Sequence, residues 1–332
     1  MYENLERENI EDYNRRIHQA EVLKMDAKLL SNEWSIDESI KASMKKESIL
    51  KQLNDREIVK EYTQNGILEG FGTFLCGAYS QQGYKSSKPM QENQDSFDIR
   101  IADDDQIQNH FFGVFDGHGL DGGPCSQLCK TTMGDVYLEQ LSKGSSTKTS
   151  LMKAHTETHS HMTGSSSTLN AELSGATSVV ASLAGRTLSI AHAGDCVVIL
   201  GSKSSKRSPT LLTKPHDLSD KSEVKRIKKK GGLVMSPEEY DEKVNGHKVT
   251  KTKKSSEKDR VLRIWSSNSD EKIPGCAFTR SIGDVVAHEI GVSEKPDFKK
   301  VTIQDDDVII IVSDGVTECK SVFLMLYLRS IS

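Results

Sequence analysis

The stretch that most constrains this chain is Phe111–Gly123, FFGVFDGHGLDGG. Phe111–Phe115 has the length and aromatic content of a buried strand. It runs straight into Asp116-Gly117-His118-Gly119, a carboxylate and an imidazole among glycines. Such a pair is badly placed for a core, and the glycines let the backbone turn sharply and come close to a ligand. Asp116 and His118 sit two apart, so on an extended backbone they share a face. An oxygen ligand beside a proton donor is the pattern of metal-assisted hydrolysis. The plain alternative is an exposed turn after a strand, which Asp-Gly often marks. Further acidic sites weigh against it: Glu92-Asn93-Gln94-Asp95 before a strand, Gly194-Asp195 after Thr187–Ala193, and Ser313-Asp314-Gly315 after Asp307–Val312. Carboxylates at the ends of apolar strands can converge at one rim, where like charges raise one another's pKa. Divalent ions relieve that repulsion, and all-oxygen ligation suits Mg²⁺ or Mn²⁺ better than Zn²⁺.

The flanking sequence divides in two. Residues 1–65 are highly charged and almost without Gly or Pro. Ile10, Tyr13, Ile17, Ala20, Leu23, Ala27 and Leu30 recur at helical steps, and a second helical stretch runs from Asp37 to about Tyr62. This predicts a helical N-terminal extension that packs on its own domain; the functional alternative is an arm for a partner or for self-association. Residues 66–332 change character, with frequent glycine and short apolar runs. Strands are predicted at Gly72–Ser80, Ser96–Ile101, Phe111–Phe115, Ala176–Leu183, Thr187–Ala193, Val197–Leu200, Arg260–Trp265 and Asp307–Val312. Ala184-Gly185-Arg186 is a hairpin signal. Helices are predicted at Pro124–Leu141, with Pro in the first turn, at Thr149–His161, and at Leu218–Lys230, stopped by Gly231-Gly232. Strands follow strands and helices come in separate blocks, which favours an α+β fold of antiparallel sheets with helices outside. Lys203–Ser208 and Lys243–Lys258 read as exposed loops.

A net charge of −4 gives no global push toward nucleic acid or a membrane surface. The six cysteines form no CxxC pair, which argues against a zinc ribbon and for reduced thiols. The longest apolar runs, Val308–Val312 and Val322–Leu328, are far short of a membrane span. The N-terminus lacks a signal segment, so a cytoplasmic or nuclear protein is expected.

In order along the chain, ENQDSF (92–97), FGVFDGHG (112–119), SGATSVVASLAGRTLSIAHAGD (174–195), LTKPHDLSDKSEVKRIKKKGGLV (212–234), AFTRSIGD (277–284) and VIIIVSDGVTE (308–318) resemble the metal-dependent serine/threonine protein phosphatases, the PPM or protein phosphatase 2C family. Several independent motifs in order are far more specific than one short pattern. The resemblance implies a four-layer α-β-β-α sandwich of two antiparallel sheets flanked by helices. It implies two Mg²⁺ or Mn²⁺ ions at one edge, with a third, looser site. Asp116 matches the carboxylate bridging two metals, Gly117 a carbonyl ligand, and Asp314 a ligand of the other metal. Asp95 lies in the motif that supplies an acidic ligand, directly or through water. Asp195 matches a carboxylate of the third site, and His118 the general acid. The implied activity is hydrolysis of phosphoserine and phosphothreonine in phosphoprotein substrates. The alternative is a catalytically impaired relative that binds partners through the same scaffold. Asp284 lies in a recurrent family motif and is expected to be structural.

The chain departs from the family pattern at several points. Many members carry Glu where Gln94 stands, and Lys85 or Lys88 would have to replace a phosphate-binding Arg. After Gly315 the family continues through helices to a final Asp-bearing strand, whereas Cys319–Ser332 contains no Asp or Glu. The sandwich is therefore expected to be C-terminally incomplete, with a bared sheet edge. Three smaller readings complete the sequence: His155 and His159 on a solvated helix face, Lys225–Lys230 as an exposed basic face, and Cys125 and Cys129 as buried small residues.

Overall fold

The computed structural model describes residues 58–68, 72–82, 92–102, 109–202, 209–246, 261–267 and 274–317. Among them the strands are β1 (Ile58–Leu68), β2 (Gly72–Gln81), β3 (Asp95–Arg100), β4 (His110–His118), β5 (Gly175–Ala184), β6 (Thr187–Ala193), β7 (Val197–Ser202), β8 (Thr210–Leu211), β9 (Leu233–Met235), β10 (Arg263–Trp265), β11 (Ile282–Gly283), β12 (Asp297–Thr302) and β13 (Asp307–Val312). The helices are α1 (Gly122–Ser142), α2 (Thr147–Thr163), α3 (Lys221–Lys229), α4 (Pro237–Tyr240), α5 (Val285–Glu289) and the single turn α6 (Asp314–Thr317).

One antiparallel sheet runs β12-β6-β5-β4-β3, with β11 added along β5. A second, of three strands, runs β13-β7-β8. Side chains alternate along a strand, and in the central strands both faces are covered. From β4 and β5, Phe111, Phe115, Ala176 and Val180 join Met133, Val136 and Tyr137 of α1 and Leu151, Ala154 and Met162 of α2 in one core. From the same strands, Phe112, Val114, Val179, Ala181 and Leu183 join Val198, Leu200, Ile309 and Ile311 of the other sheet in a second core. Among the described residues these elements are layered helix on sheet on sheet. A third, smaller cluster of Ile227, Ile264, Cys276, Ala287 and Val292 gathers α3, β10 and α5.

Local sequence accounts for the helix starts. Ser146 caps α2 by accepting from Thr149 N, and Asp220 caps α3 by accepting from Ser222 N at 2.8 Å. The β5–β6 hairpin is tighter than predicted: Ala184 pairs with Thr187 across Gly185-Arg186. The Lys225, Lys228, Lys229 and Lys230 side chains are exposed, as expected of a basic helix face, while Ile227 is buried. Cys125 and Cys129 are fully buried. No helix among the described residues is long and apolar enough to cross a membrane.

Three predictions need correction. The helix expected as far as Tyr62 gives way to strand β1 from Ile58, where Ile58-Val59 and Tyr62-Thr63 supply β-branched and aromatic residues. Strand β4 does not stop at Phe115 but continues through Asp116 and Gly117 to His118, because β5 pairs with it to the end. His155 and His159 do not lie on a solvated face. His155 is fully buried beside Leu151, Ala154 and Met162, and His159 stacks on His288 at 4.4 Å. The N-terminal helices, Lys85, Lys88, Lys203–Ser208, most of Lys243–Lys258 and the tail from Glu318 lie outside the described residues.

Candidate active site

Strand register assembles the site. Asp95 at the start of β3 lies opposite Asp116 of β4, which lies opposite Thr177 of β5. Directly opposed residues point to the same side of a sheet, so two carboxylates and a hydroxyl form a row across three strands. Asp116 shares a face with Val114 and Phe112, two and four residues before it, and these pack between the sheets; the row therefore stands on the inner face. Two more acids arrive where the sheets meet. Asp195 lies in the Gly194–Cys196 link that carries the chain from β6 in one sheet to β7 in the other. Asp314 opens α6 directly after β13. Ser313 Oγ donates to Asp95 Oδ2 at 2.7 Å, tying the end of β13 to the start of β3.

The electrostatics are those of crowded acids. Burial pushes Asp116 up to about 9, helped by the charges of Asp95 and Asp314, a hydrogen bond with Asp314, and Asp195. Asp195 rises to about 6, through burial and then Asp314, against the relief given by its own backbone N–H, His118 and Thr177. Burial also raises Asp95, opposed in part by the Ser313 hydroxyl. Burial is the largest influence on all three, and the Asp314 charge raises each of them further. Among the described residues, no group of three or more His, Cys, Asp or Glu side chains is placed to hold a metal ion as it stands. The acids form an open rim, and an all-oxygen donor set whose members repel one another is of the kind that suits a hard divalent cation.

Gly117 belongs to the same strand end. Its N–H donates to Gln94 O at 3.2 Å, and a Cβ there would collide with Gly122 O and lie 2.8 Å from Gln94 O. Only glycine lets β4 pass this close between the lead into β3 and the first turn of α1. Gln94 spends its amide on the loop after β4, donating from Nε2 to Gly119 O at 2.9 Å.

His118 Nε2 lies 2.7 Å from Asp284 Oδ2. The Phe278 ring covers the imidazole at a centroid distance of 4.3 Å. Here too the register decides: β11 pairs with Gly175-Ala176 of β5, and Gly175 lies opposite His118. Asp284, the residue after β11, is thereby delivered to the imidazole. The structure brings together Asp95, Asp116, Asp195 and Asp314, with Gly117 and His118 beside them. Sequence reasoning missed Asp284 as the partner of His118, and it missed Ser313 and Thr177. The available signal was that AFTRSIGD, VIIIVSDGVTE and SGATSVV are motif blocks containing these residues.

His155 and His159 make no metal group among the described residues. His155 Nδ1 donates to Leu151 O at 2.9 Å, and His159 Nδ1 accepts from Gly283 N at 3.1 Å. Burial lowers both to about 4, so they are neutral packing residues.

Comparison with known proteins agrees with this architecture. The protein phosphatase 2C family profile matches residues 81–322. "Probable protein phosphatase 2C 35" of Arabidopsis thaliana is 30% identical over 250 residues, covering 72% of this chain and 68% of the relative. "Protein phosphatase 1K, mitochondrial" of Xenopus laevis is 29% identical, covering 68% of this chain and 52% of the relative. Among solved structures, the serine-threonine phosphatase 2C of Toxoplasma gondii superposes with a TM-score of 0.60 at 18% identity, covering 79% of this chain and 84% of that one. A C. elegans sex determining protein gives a TM-score of 0.53 at 19% identity, covering 87% and 64%. The chain belongs to the protein phosphatase 2C family, and with it to the protein serine/threonine phosphatases.

Proposed function

We propose that this chain hydrolyses phosphoserine and phosphothreonine in proteins, using Mg²⁺ or Mn²⁺ held at the acidic rim. The observation that carries the reading is the convergence of Asp95, Asp116, Asp195 and Asp314 from both sheets, where burial and carboxylate neighbours raise Asp95, Asp116 and Asp195. Asp116, central in the row, would be the ligand shared by the ions, with Asp95, the Gly117 carbonyl and Asp314 completing the set and Asp195 available to a third, looser ion. When bound, such ions supply positive charge to a phosphate and acidify water. The side chains supply the rest. Ser313 and Thr177 hold Asp95 and Asp195 in place by hydrogen bonds. His118 gives a proton to the departing serine or threonine oxygen, a poor leaving group at neutral pH, for a gain of roughly 10²–10⁴-fold. The buried thiols of Cys125, Cys129, Cys196 and Cys276 are all pushed upward by burial, so they do not serve as nucleophiles.

A second reading, a binding module that has lost turnover, is favoured by one observation: Gln94 presents a neutral amide to the loop in place of an acid. A phosphothreonine peptide distinguishes them. Release of phosphate with Mn²⁺ and none in excess EDTA is the expected result. Full turnover in EDTA would overturn the proposal, and peptide binding without phosphate release by the Mn²⁺-loaded protein would select the binding module.

A further inference from the structure

We infer that Asp284 is the positioning residue for His118. Its carboxylate fixes the orientation of the ring and keeps a proton on Nε2, leaving Nδ1 as the nitrogen that exchanges a proton with a leaving group. The inference rests on the proton-donor reading of His118 and deepens it. The contact itself is short, 2.7 Å, and the Asp284 side chain is only 6% exposed. A carboxylate only accepts, so the neutral ring must donate from Nε2.

Three features show that this contact is built for. Asp284 stands just before α5, where an aspartate ordinarily accepts a hydrogen bond from the helix N-terminus; here its side chain makes no capping bond. Its backbone is left-handed, φ 52 and ψ 49, the one positive φ at a non-glycine residue among those described. That conformation costs free energy and persists only where the surroundings enforce it. The surroundings do so: Asp284 N donates to Ser174 O at 3.0 Å, and β11 is paired to β5. At Gly175 a Cβ would collide with Asp284 Oδ2 and with Ile282 O, so the carboxylate occupies the space that glycine leaves. The chain just upstream is locked as well. Arg280 donates to both oxygens of buried Glu223 in α3 at 3.0 Å, and Thr279 Oγ1 donates to Glu223 Oε2 at 2.8 Å. An aspartate kept only for folding would cap its helix or meet a cation; this one spends a strained backbone to reach an imidazole.

The test uses the full chain with ¹⁵N-labelled histidine rings, as wild type, Asp284→Gly and Asp284→Asn. Glycine accepts the left-handed backbone freely, so Asp284→Gly removes the carboxylate without straining the fold. Asparagine keeps an acceptor oxygen of the same reach. The wild-type His118 ring is expected to carry its proton on Nε2 alone, Asp284→Gly to populate both tautomers, and Asp284→Asn to restore the wild-type pattern in part. Turnover of a phosphothreonine peptide should fall roughly tenfold or more relative to p-nitrophenyl phosphate in Asp284→Gly, because the aryl leaving group needs less protonation. A His118 tautomer unchanged in Asp284→Gly overturns the inference. The ring spectra decide the positioning claim with or without turnover. If they change as expected while His118→Ala leaves the ratio of the two substrates untouched, Asp284 still positions the ring and it is the proton-donor reading that falls.

Discussion

At the scale of residues, the account turns on His118 and the acids around it. If His118 protonates the leaving oxygen, His118→Ala should lower turnover of a phosphothreonine peptide by roughly 10²-fold, and that of p-nitrophenyl phosphate far less. Steady-state kinetics on both substrates checks this, and an equal loss on both would assign His118 to orienting water instead. The candidate acids stood out in the sequence because Asp116, Asp195 and Asp314 follow apolar runs, while Asp95 closes the polar stretch Glu92-Asn93-Gln94-Asp95 before a strand. Asp284 stood out by its motif block AFTRSIGD, but nothing in the sequence pointed to its partner. Its partner is 166 residues away, and the contact exists only because β11 pairs with β5 in one register. Thr177 and Ser313 were hidden for the same reason: a hydroxyl in a strand or a turn looks ordinary until the opposing residue is known.

At the scale of elements, α2 makes a distinct prediction. Its inner face carries Ser150, Leu151, Ala154, His155, Thr158 and Met162. His155 is fully buried, and desolvation lowers its pKa to about 4 despite the hydrogen bond to Leu151 O. An unfolded histidine takes up its proton near pH ~6.5. Between about pH 6.5 and 4 the unfolded chain therefore binds the proton and the folded chain does not, so stability falls as pH falls through this window. The loss approaches about 1.4 kcal/mol per pH unit for a single such group. His155→Leu, which removes the titrating ring and keeps an apolar filler, should move the acid-unfolding midpoint to lower pH. Circular dichroism across a pH series measures it, and an unmoved midpoint would contradict the assignment. The long elements were readable from periodicity, with α1, α2, β5, β6 and β13 predicted to within a few residues. Apart from β1, where a helix was expected, the missed ones are short or charged. β9 and β11 have 3 and 2 residues, too few for any period to show. β12, DFKKVT, carries exposed charges at three of its six positions and is a strand because β6 pairs with it along its length.

At the scale of the whole molecule, the acidic rim is a product of two sheets. Asp95 and Asp116 come from one, Asp314 follows a strand of the other, and Asp195 sits on the link between them. A cation bound there joins both layers, so binding should raise the stability of the fold by mass action. Asp116→Asn is a clean probe. Burial and its acidic neighbours push the Asp116 carboxyl upward, which favours its neutral form when no cation is bound. A neutral amide of the same shape should therefore leave the cation-free Tm nearly unchanged or raised, while removing the bridging charge. The measurement that tests the central claim most directly is calorimetric titration of Mn²⁺ into both proteins, with Tm followed in parallel. The account predicts uptake of about two Mn²⁺ per wild-type chain with a rise in Tm, and loss of both effects in Asp116→Asn. Absence of Mn²⁺ uptake by the folded wild type, or uptake by Asp116→Asn indistinguishable from wild type, would contradict it.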